Sequence, residues 1–495
     1  MSQANPQTAE TRPVTDLVAE FRHFLPAESV LHEAEDLRPF ECDGLTAYRQ
    51  LPLLVVLPET VEQVCEVLRV CSRRQLPVVA RGAGTGLSGG ALPLANGVVL
   101  SLARFNQILE IDPLSRTARV QPGVRNLAIS QAVACHQLYY APDPSSQIAC
   151  SIGGNVAENS GGLHCLKYGL TVHNILEVQV VTMDGELLTI GGHSLDSPGY
   201  DLLAILTGSE GLLAVIVEIT VKLLAVPECA KLMLAAFATS QAAGAAVGRI
   251  ISAGIIPAGL ELMDNFAIRA TDEFCQAGYP LEAAAILLCE IDGTEPEVDD
   301  QIAMVEELLK SCGASEIRIA RSELERQRFW AGRKAAFPAA GRLSPDYYCM
   351  DGTIPRRELS NVLKRMEAMS KDYKLPIMNV FHAGDGNLHP LILYDANHDG
   401  ELERVEELGA KILDMCVEVG GTITGEHGVG VEKIDRMCTQ FAKPELEQFH
   451  ALKAAFDEAG LLNPGKAVPS LARCAEIGGM HVHAGQLPFP DIERF

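Results

Sequence analysis

The chain has 495 residues, 47% hydrophobic and 21% charged, and carries a formal net charge of −24. That length exceeds a single core, so two or three domains are expected in an ordinary soluble protein. The acidity excludes nucleic acid, whose phosphates need Lys/Arg-rich surfaces, and obliges any anionic substrate to find a local cationic pocket. The polar opening Met1-Ser2-Gln3-Ala4-Asn5-Pro6 lacks the pattern of a signal peptide. Leu212 to Val226, the best candidate membrane span, is broken by Glu218 and Lys222. Fourteen cysteines are scattered without a Cys-x-x-Cys, which argues against iron–sulfur and structural zinc sites and for a reducing, cytoplasmic setting.

Residues 1–50 read as a polar lead-in with a helix at Val14–Phe24. Thr60 and Gln63 spell a capping box ahead of a helix through Val61, Val64, Cys65, Val67, Leu68 and Cys71. The short strand Pro77 to Ala80 runs into Arg81 to Gly90, where Gly84, Gly86 and Gly89 match G-x-G-x-x-G. A dinucleotide fingerprint needs a helix next, yet Gly89-Gly90 and Pro93 forbid a long one and a new strand arrives at 97–102. The Rossmann reading is rejected. What remains is a loop of backbone N–H groups suited to a diphosphate. A strand from Thr117 and a helix from Leu127 to Leu138 follow. The proline- and glycine-rich stretch 142–169 is then expected to be irregular, as binding loops are. Asp184-Gly185 marks a hairpin, and the apolar run Leu212–Leu224 closes this region near Pro227.

From 228 to 420 strands and helices alternate, including a strand ending at Glu290 to Gly293. An amphipathic helix Val298–Lys310 carries Ile302, Val305, Leu308 and Leu309 on its apolar face. Asp395 to Glu406 matches an EF-hand loop, but the apolar Leu391 to Tyr394 before it reads as a strand where an EF-hand needs a helix. Its acids are expected to cap a helix Leu402–Val419 instead. His481 and His483 lie in a polar–aromatic tail read as a docking segment.

The chemistry concentrates in two loops. His382 and His389 flank a Gly-Asp-Gly-Asn turn, and Glu426 and His427 sit together in Thr424-Gly425-Glu426-His427-Gly428. Two imidazoles and a carboxylate, His382, His389 and Glu426, make a divalent-metal set with open positions, suited to zinc, iron or manganese. His427 is then free to move protons.

The glycine clusters at 82–90, 153–162 and 208–211 resemble the FAD-binding domain of the vanillyl-alcohol-oxidase/p-cresol-methylhydroxylase superfamily. The His-x-Gly-Asp-Gly-Asn-Leu-His and Thr-Gly-Glu-His-Gly segments narrow the resemblance to its FAD-linked 2-hydroxyacid dehydrogenase family. The nearest pattern is that of bacterial glycolate oxidase flavin subunits, from about residue 50 to about 470. The resemblance implies an α+β fold: an FAD-binding domain at 51–227, a substrate (cap) domain at 228–420, a segment 421–470 returning to the FAD site, and a tail 471–495. It places the FAD diphosphate on Arg81, Gly82, Ala83, Gly84, Thr85, Gly86 and Ser88. The flavin would be lined by Pro144, Ser145, Gly153, Gly154, Asn155 and Ser160, and the adenosine part met by Glu210, Gly211 and Ile216. Asn463 belongs to the same pattern. No histidine stands in the first loop, so FAD is expected to be non-covalent.

Arg333 resembles the family's substrate-carboxylate arginine. Phe337, Cys349 and Pro390-Leu391 stand where relatives acting on dicarboxylates carry polar anchors, which favours a monocarboxylate. The implied reaction is oxidation of a short D-2-hydroxy acid, glycolate to glyoxylate, with D-lactate as the alternative substrate. A non-redox flavin group-transfer enzyme or a non-catalytic flavin subunit is the alternative of another class. The implied partners are a second flavin-type subunit and an iron–sulfur subunit at the inner membrane.

Overall fold

Runs of valine and leucine build the first sheet. Val98–Ser101 lies parallel between Leu54–Val56 and Val78–Arg81, and Val30–Leu31 adds an antiparallel edge. In this computed structural model, which describes residues 14–194 and 199–469, the helix Val61–Arg74 leads from Leu54–Val56 to Val78–Arg81. It opens on the expected capping box, Thr60 accepting from the Gln63 N–H and Gln63 from the Thr60 N–H. Val64, Cys65, Val67, Leu68 and Cys71 are its buried stripe. No helix follows Val78–Arg81 before Val98, so the rejection of a Rossmann unit holds.

The second sheet is antiparallel, in the order Ile108–Asp112, Thr117–Val120, Val215–Lys222, Ile175–Val181, Leu187–Gly191. Its last two strands are the expected hairpin, with Gly185 at φ 75° in the turn. Two expectations fail nearby. The helix starting at Asn126 stops at Val133, and the stretch expected to be irregular contains the helix Ile152–Glu158. There a Cβ on Gly153 would come 2.4 Å from Pro122 Cβ, so this glycine permits close packing rather than breaking the helix.

The third sheet has seven antiparallel strands: Glu316–Ile319, Cys229–Phe237, Ala285–Gly293, Gly259–Asp264, Ile377–Phe381, Pro390–Tyr394 and Asp346–Cys349. Both faces are buried, so the strands read as continuous apolar runs. Met233, Ala235 and Phe237 enter one core with the helices Ser240–Ser252, Glu295–Ser311, Leu359–Tyr373 and Glu401–Glu418. Leu232, Leu234 and Ala236 enter another with Asn265–Cys275, Glu323–Lys334 and Ala336–Ala340.

Leu391 to Tyr394 is a strand, which excludes the EF-hand. The expected acidic cap does not form, because the helix Glu401–Glu418 starts from Gly400 at φ 75° without a side-chain cap. Beyond the helix Lys443–Phe456 the chain returns to the first sheet. The Val78 N–H donates to Leu461 O, and the Asn463 N–H to Val78 O. No helix among the described residues is long and apolar enough to cross a membrane. The tail with His481 and His483 lies outside the described residues.

Candidate active site

Strand parity puts two acids on a buried face where apolar side chains belong. Leu260 and Leu262 face one core of the seven-stranded sheet, so Glu261 faces the other, as Glu290 does between Cys289 and Ile291. A buried carboxylate needs a partner, and the helix Glu323–Lys334 supplies them at i, i+4 and i+7. Arg326 Nη1 and Trp330 Nε1 donate to Glu290 Oε2 at 2.8 and 2.6 Å, and Arg333 Nε to Glu261 Oε2 at 2.8 Å. Arg333 is 1% exposed, and its Nη1 has no hydrogen-bond partner. It does not itself line the cavity described below.

Leu262 pairs with Phe381, so the next residue of that strand, His382, comes opposite Glu261. His382 Nδ1 lies 2.9 Å from Glu261 Oε1, which leaves Nε2 for the opposite side. The Gly-Asp-Gly-Asn turn folds His389 back to a ring-centroid distance of 5.0 Å from His382. Gly386 is required in it, at φ 80° with Ile354 O only 2.2 Å from where a Cβ would stand.

The loop 424–430 closes the site and is held from both sides. Asp351, wholly buried at the end of strand Asp346–Cys349, accepts on Oδ2 from Thr424 Oγ1 (2.7 Å) and from the N–H groups of Gly425 and His427 (both 2.9 Å). Its Oδ1 accepts from Asn387 Nδ2, tying in the histidine turn. On the far side Glu210 accepts from the N–H groups of Val429 and Gly430, both at 2.7 Å. Glu426 Oε1 thereby reaches 3.3 Å from His382 Nε2 and 3.2 Å from His389 Nε2.

The three ligand atoms of His382, His389 and Glu426 lie within 4.8 Å of one another. With Glu261 orienting His382, they fit a divalent cation. Asp351, His389 and His427 also come within that range. Asp351 is already filled with donors, however, and serves as an anchor rather than a ligand. Burial opposes charge on His382, but Glu261 and Glu426 outweigh it and raise its pKa to about 10. Burial, aided by His389 and Lys433, lowers that of His427 to about 4 against the pull of Asp351, so its imidazole is neutral near pH 7. Its ring centroid is 4.7 Å from that of His389.

His389, Glu426 and His427 share a cavity of about 370 Å³ with the glycine-rich loops. Its wall holds Arg81, Gly82, Ala83, Gly84, Thr85, Gly86, Pro144, Ser145, Gly153, Gly154, Asn155, Ser160, Glu210, Gly211 and Ile216. Ser88 and Asn463, expected at the cofactor, do not line it. The Ser88 carbonyl accepts from Val431 and Glu432, and Asn463 Nδ2 donates to the carbonyls of Gly90 and Glu210. Glu210, expected to meet adenosine, spends both oxygens on the catalytic loop. The N–H groups of Gly84, Thr85, Gly86 and Leu87 have no partner among the described residues. A row of free donors at a glycine turn fits a diphosphate.

Residues 52–191 match the FAD binding domain family, and 226–467 match the FAD linked oxidases, C-terminal domain. The glycolate oxidase subunit GlcD of Escherichia coli (strain K12) is 63% identical over 481 residues, 97% of this chain and 96% of that one. The chain belongs to the FAD-linked oxidases. It is an FAD-dependent oxidoreductase. Within the family, GlcD of Bacillus subtilis (strain 168) is 40% identical over 88% of this chain and 93% of its own length. A D-lactate dehydrogenase of Anaerostipes hadrus is 30% identical over 91% and 97%. The solved p-cresol methylhydroxylase superposes with a TM-score of 0.78 at 19% identity, covering 92% of this chain and 97% of that one, and shows the shared fold. The expected α+β architecture with an FAD-binding domain is borne out.

Sequence reasoning missed Glu261 and Asp351, which aim His382 and the loop 424–430. Glu261 left a signal, a lone acid inside the apolar run Gly259-Leu260-Glu261-Leu262-Met263. Asp351 left none, since its partners, backbone groups and the side chains of Asn387 and Thr424, lie between 36 and 76 residues away.

Proposed function

We propose that this protein oxidises a short D-2-hydroxy acid to the 2-oxo acid, glycolate to glyoxylate in preference to D-lactate. The observation that carries the reading is that His389, Glu426 and His427 stand on the wall that also bears the glycine-rich loops, with His382 within ligand distance of the first two. The name and 63% identity of the Escherichia coli relative support glycolate. The D-lactate dehydrogenase stands further off.

Arg81 to Gly86 would hold the diphosphate of a non-covalent FAD, which when bound supplies the acceptor for the hydride leaving the α-carbon. His382, His389 and Glu426 would hold a zinc, iron or manganese ion, which when bound makes an adjoining hydroxyl more acidic. Glu261 fixes the His382 ring by accepting at Nδ1. Arg333 grips Glu261 along one edge, and its unpartnered Nη1, behind the cavity wall, is the group that would meet the substrate carboxylate. His427, held neutral by burial, takes the hydroxyl proton as the carbonyl forms. Phe337, partly buried on the same wall, leaves little for a second carboxylate to bind.

On this reading 51–227 binds FAD, 228–420 covers the substrate and 421–470 returns to complete the site. The sequence contains no Cys-x-x-Cys to carry electrons onward. They leave through a second flavin-type subunit and an iron–sulfur subunit, in a complex on the cytoplasmic side of the inner membrane. The relatives' designation as subunits supports such a complex.

The test is anaerobic mixing of the FAD-loaded protein with glycolate, D-lactate and longer 2-hydroxy acids, with and without a chelator. Fast bleaching of the flavin by glycolate, abolished by the chelator, is the expected result. A flavin left oxidised by every hydroxy acid would overturn the reading in favour of non-redox group transfer. Bleaching indifferent to chelation would remove the cation.

A further inference from the structure

Two cavities adjoin at one side chain. Lys334 lines the cavity of the histidine cluster and also a second one of about 380 Å³, walled by His164, Arg326 and Trp330. It is the last residue of the helix Glu323–Lys334 and is exposed. It has no hydrogen-bond or ion-pair partner among the described residues.

The other cations here are engaged. Arg81 donates to the Cys42 carbonyl, Arg326 pairs with Glu290 and Glu323, and Arg333 pairs with Glu261. His164 bridges Asp143 and Glu290. The first cavity also carries the carboxyl groups of Asp43, Glu158, Glu210 and Glu426, in a chain of net charge −24. Arg81, the other Lys/Arg side chain on that wall, is buried, so where the two cavities adjoin Lys334 offers an entering carboxylate an exposed ammonium with no acidic partner among the described residues.

We infer that Lys334 captures the substrate carboxylate where the two cavities adjoin, before Arg333 receives it deeper in the site. A compact charge on a flexible stem suits transient capture, whereas the guanidinium suits fixed anchoring. The inference rests on the hydroxyacid dehydrogenase reading and adds to it the residue that governs entry.

The test measures flavin bleaching by glycolate in the FAD-loaded full chain, separating the limiting rate from the half-saturating concentration, at low and high ionic strength. Lys334→Met is expected to raise the half-saturating glycolate concentration about tenfold at low salt. It should leave the limiting rate within about twofold and flatten the salt dependence. Lys334→Arg should restore both. Unchanged half-saturation and salt response in Lys334→Met would overturn the inference, as would a limiting rate that falls together with FAD content. If wild-type flavin stays oxidised with glycolate and D-lactate alike, the dehydrogenase reading has failed and the capture role falls with it.

Discussion

Two faces of one cavity are built in opposite ways. The loop 82–87 presents backbone N–H groups and almost no side chain. The histidine cluster presents side chains only, aimed by buried carboxylates: Glu261 for His382, and Asp351 for the loop bearing Glu426 and His427. The first surface depends on room for the backbone to approach a ligand, and the second on charge and aim. Added bulk should therefore damage the first and leave the second intact, while an isosteric loss of charge should do the reverse.

The sharpest way to break this contrast is His427→Gln. It should slow substrate-driven flavin bleaching by about 10²–10⁴-fold, the usual worth of a general base, with FAD content unchanged by absorbance. Bleaching at near wild-type rate would remove His427 from proton transfer. Asp351→Asn comes next. It places an amide against several inward-pointing donors and should lower stability by about 3 kcal/mol, read by denaturant unfolding, with turnover lost and FAD retained.

Gly153→Val probes the other face. Its Cβ would stand 2.4 Å from Pro122 Cβ, an overpacking cost of about 1–3 kcal/mol. FAD should bind more weakly, while the bleaching rate per bound FAD stays normal. A normal FAD affinity would contradict the contrast.

The smallest effect concerns the contact between the domains, where His164 lies between Asp143 and Glu290. Burial opposes its charge, but the two carboxyl groups raise its pKa from 6.5 to about 10. Its stabilisation is therefore complete below pH 6.5 and lost as pH rises through about 10. Burial likewise opposes charge on Glu290, yet His164 and Arg326 lower its pKa from 4.5 to about 2, so its share is lost as pH falls through that value. The difference in stability between wild type and His164→Gln should be about 1 kcal/mol. It should peak near pH 5.5, between the two ordinary values. A difference unchanged at pH 10 would refute the ion pair.

Local signals carried well from sequence to structure where one segment made its own contacts. The Thr60/Gln63 capping box, the Asp184-Gly185 hairpin and the strand that excludes the EF-hand are of this kind. The His382/His389 turn was legible for the same reason. The helix Ile152–Glu158 was hidden because Gly153 answers to Pro122, a neighbour about thirty residues back. The hold of Glu210 on the loop 424–430 was hidden because the groups it accepts from lie more than two hundred residues ahead. Side chains that position the site through other residues are written in tertiary contacts, which periodicity does not report.

The loop 424–430 hangs between Asp351, just past a strand of the seven-stranded sheet, and Glu210, just ahead of a strand of the five-stranded one. Neither half of the polypeptide can assemble the reaction centre by itself. Cutting the chain between the two halves would yield inert fragments that regain turnover only on reassociation. Any motion that parts the halves would disarm the centre at once, so docking and competence are a single event.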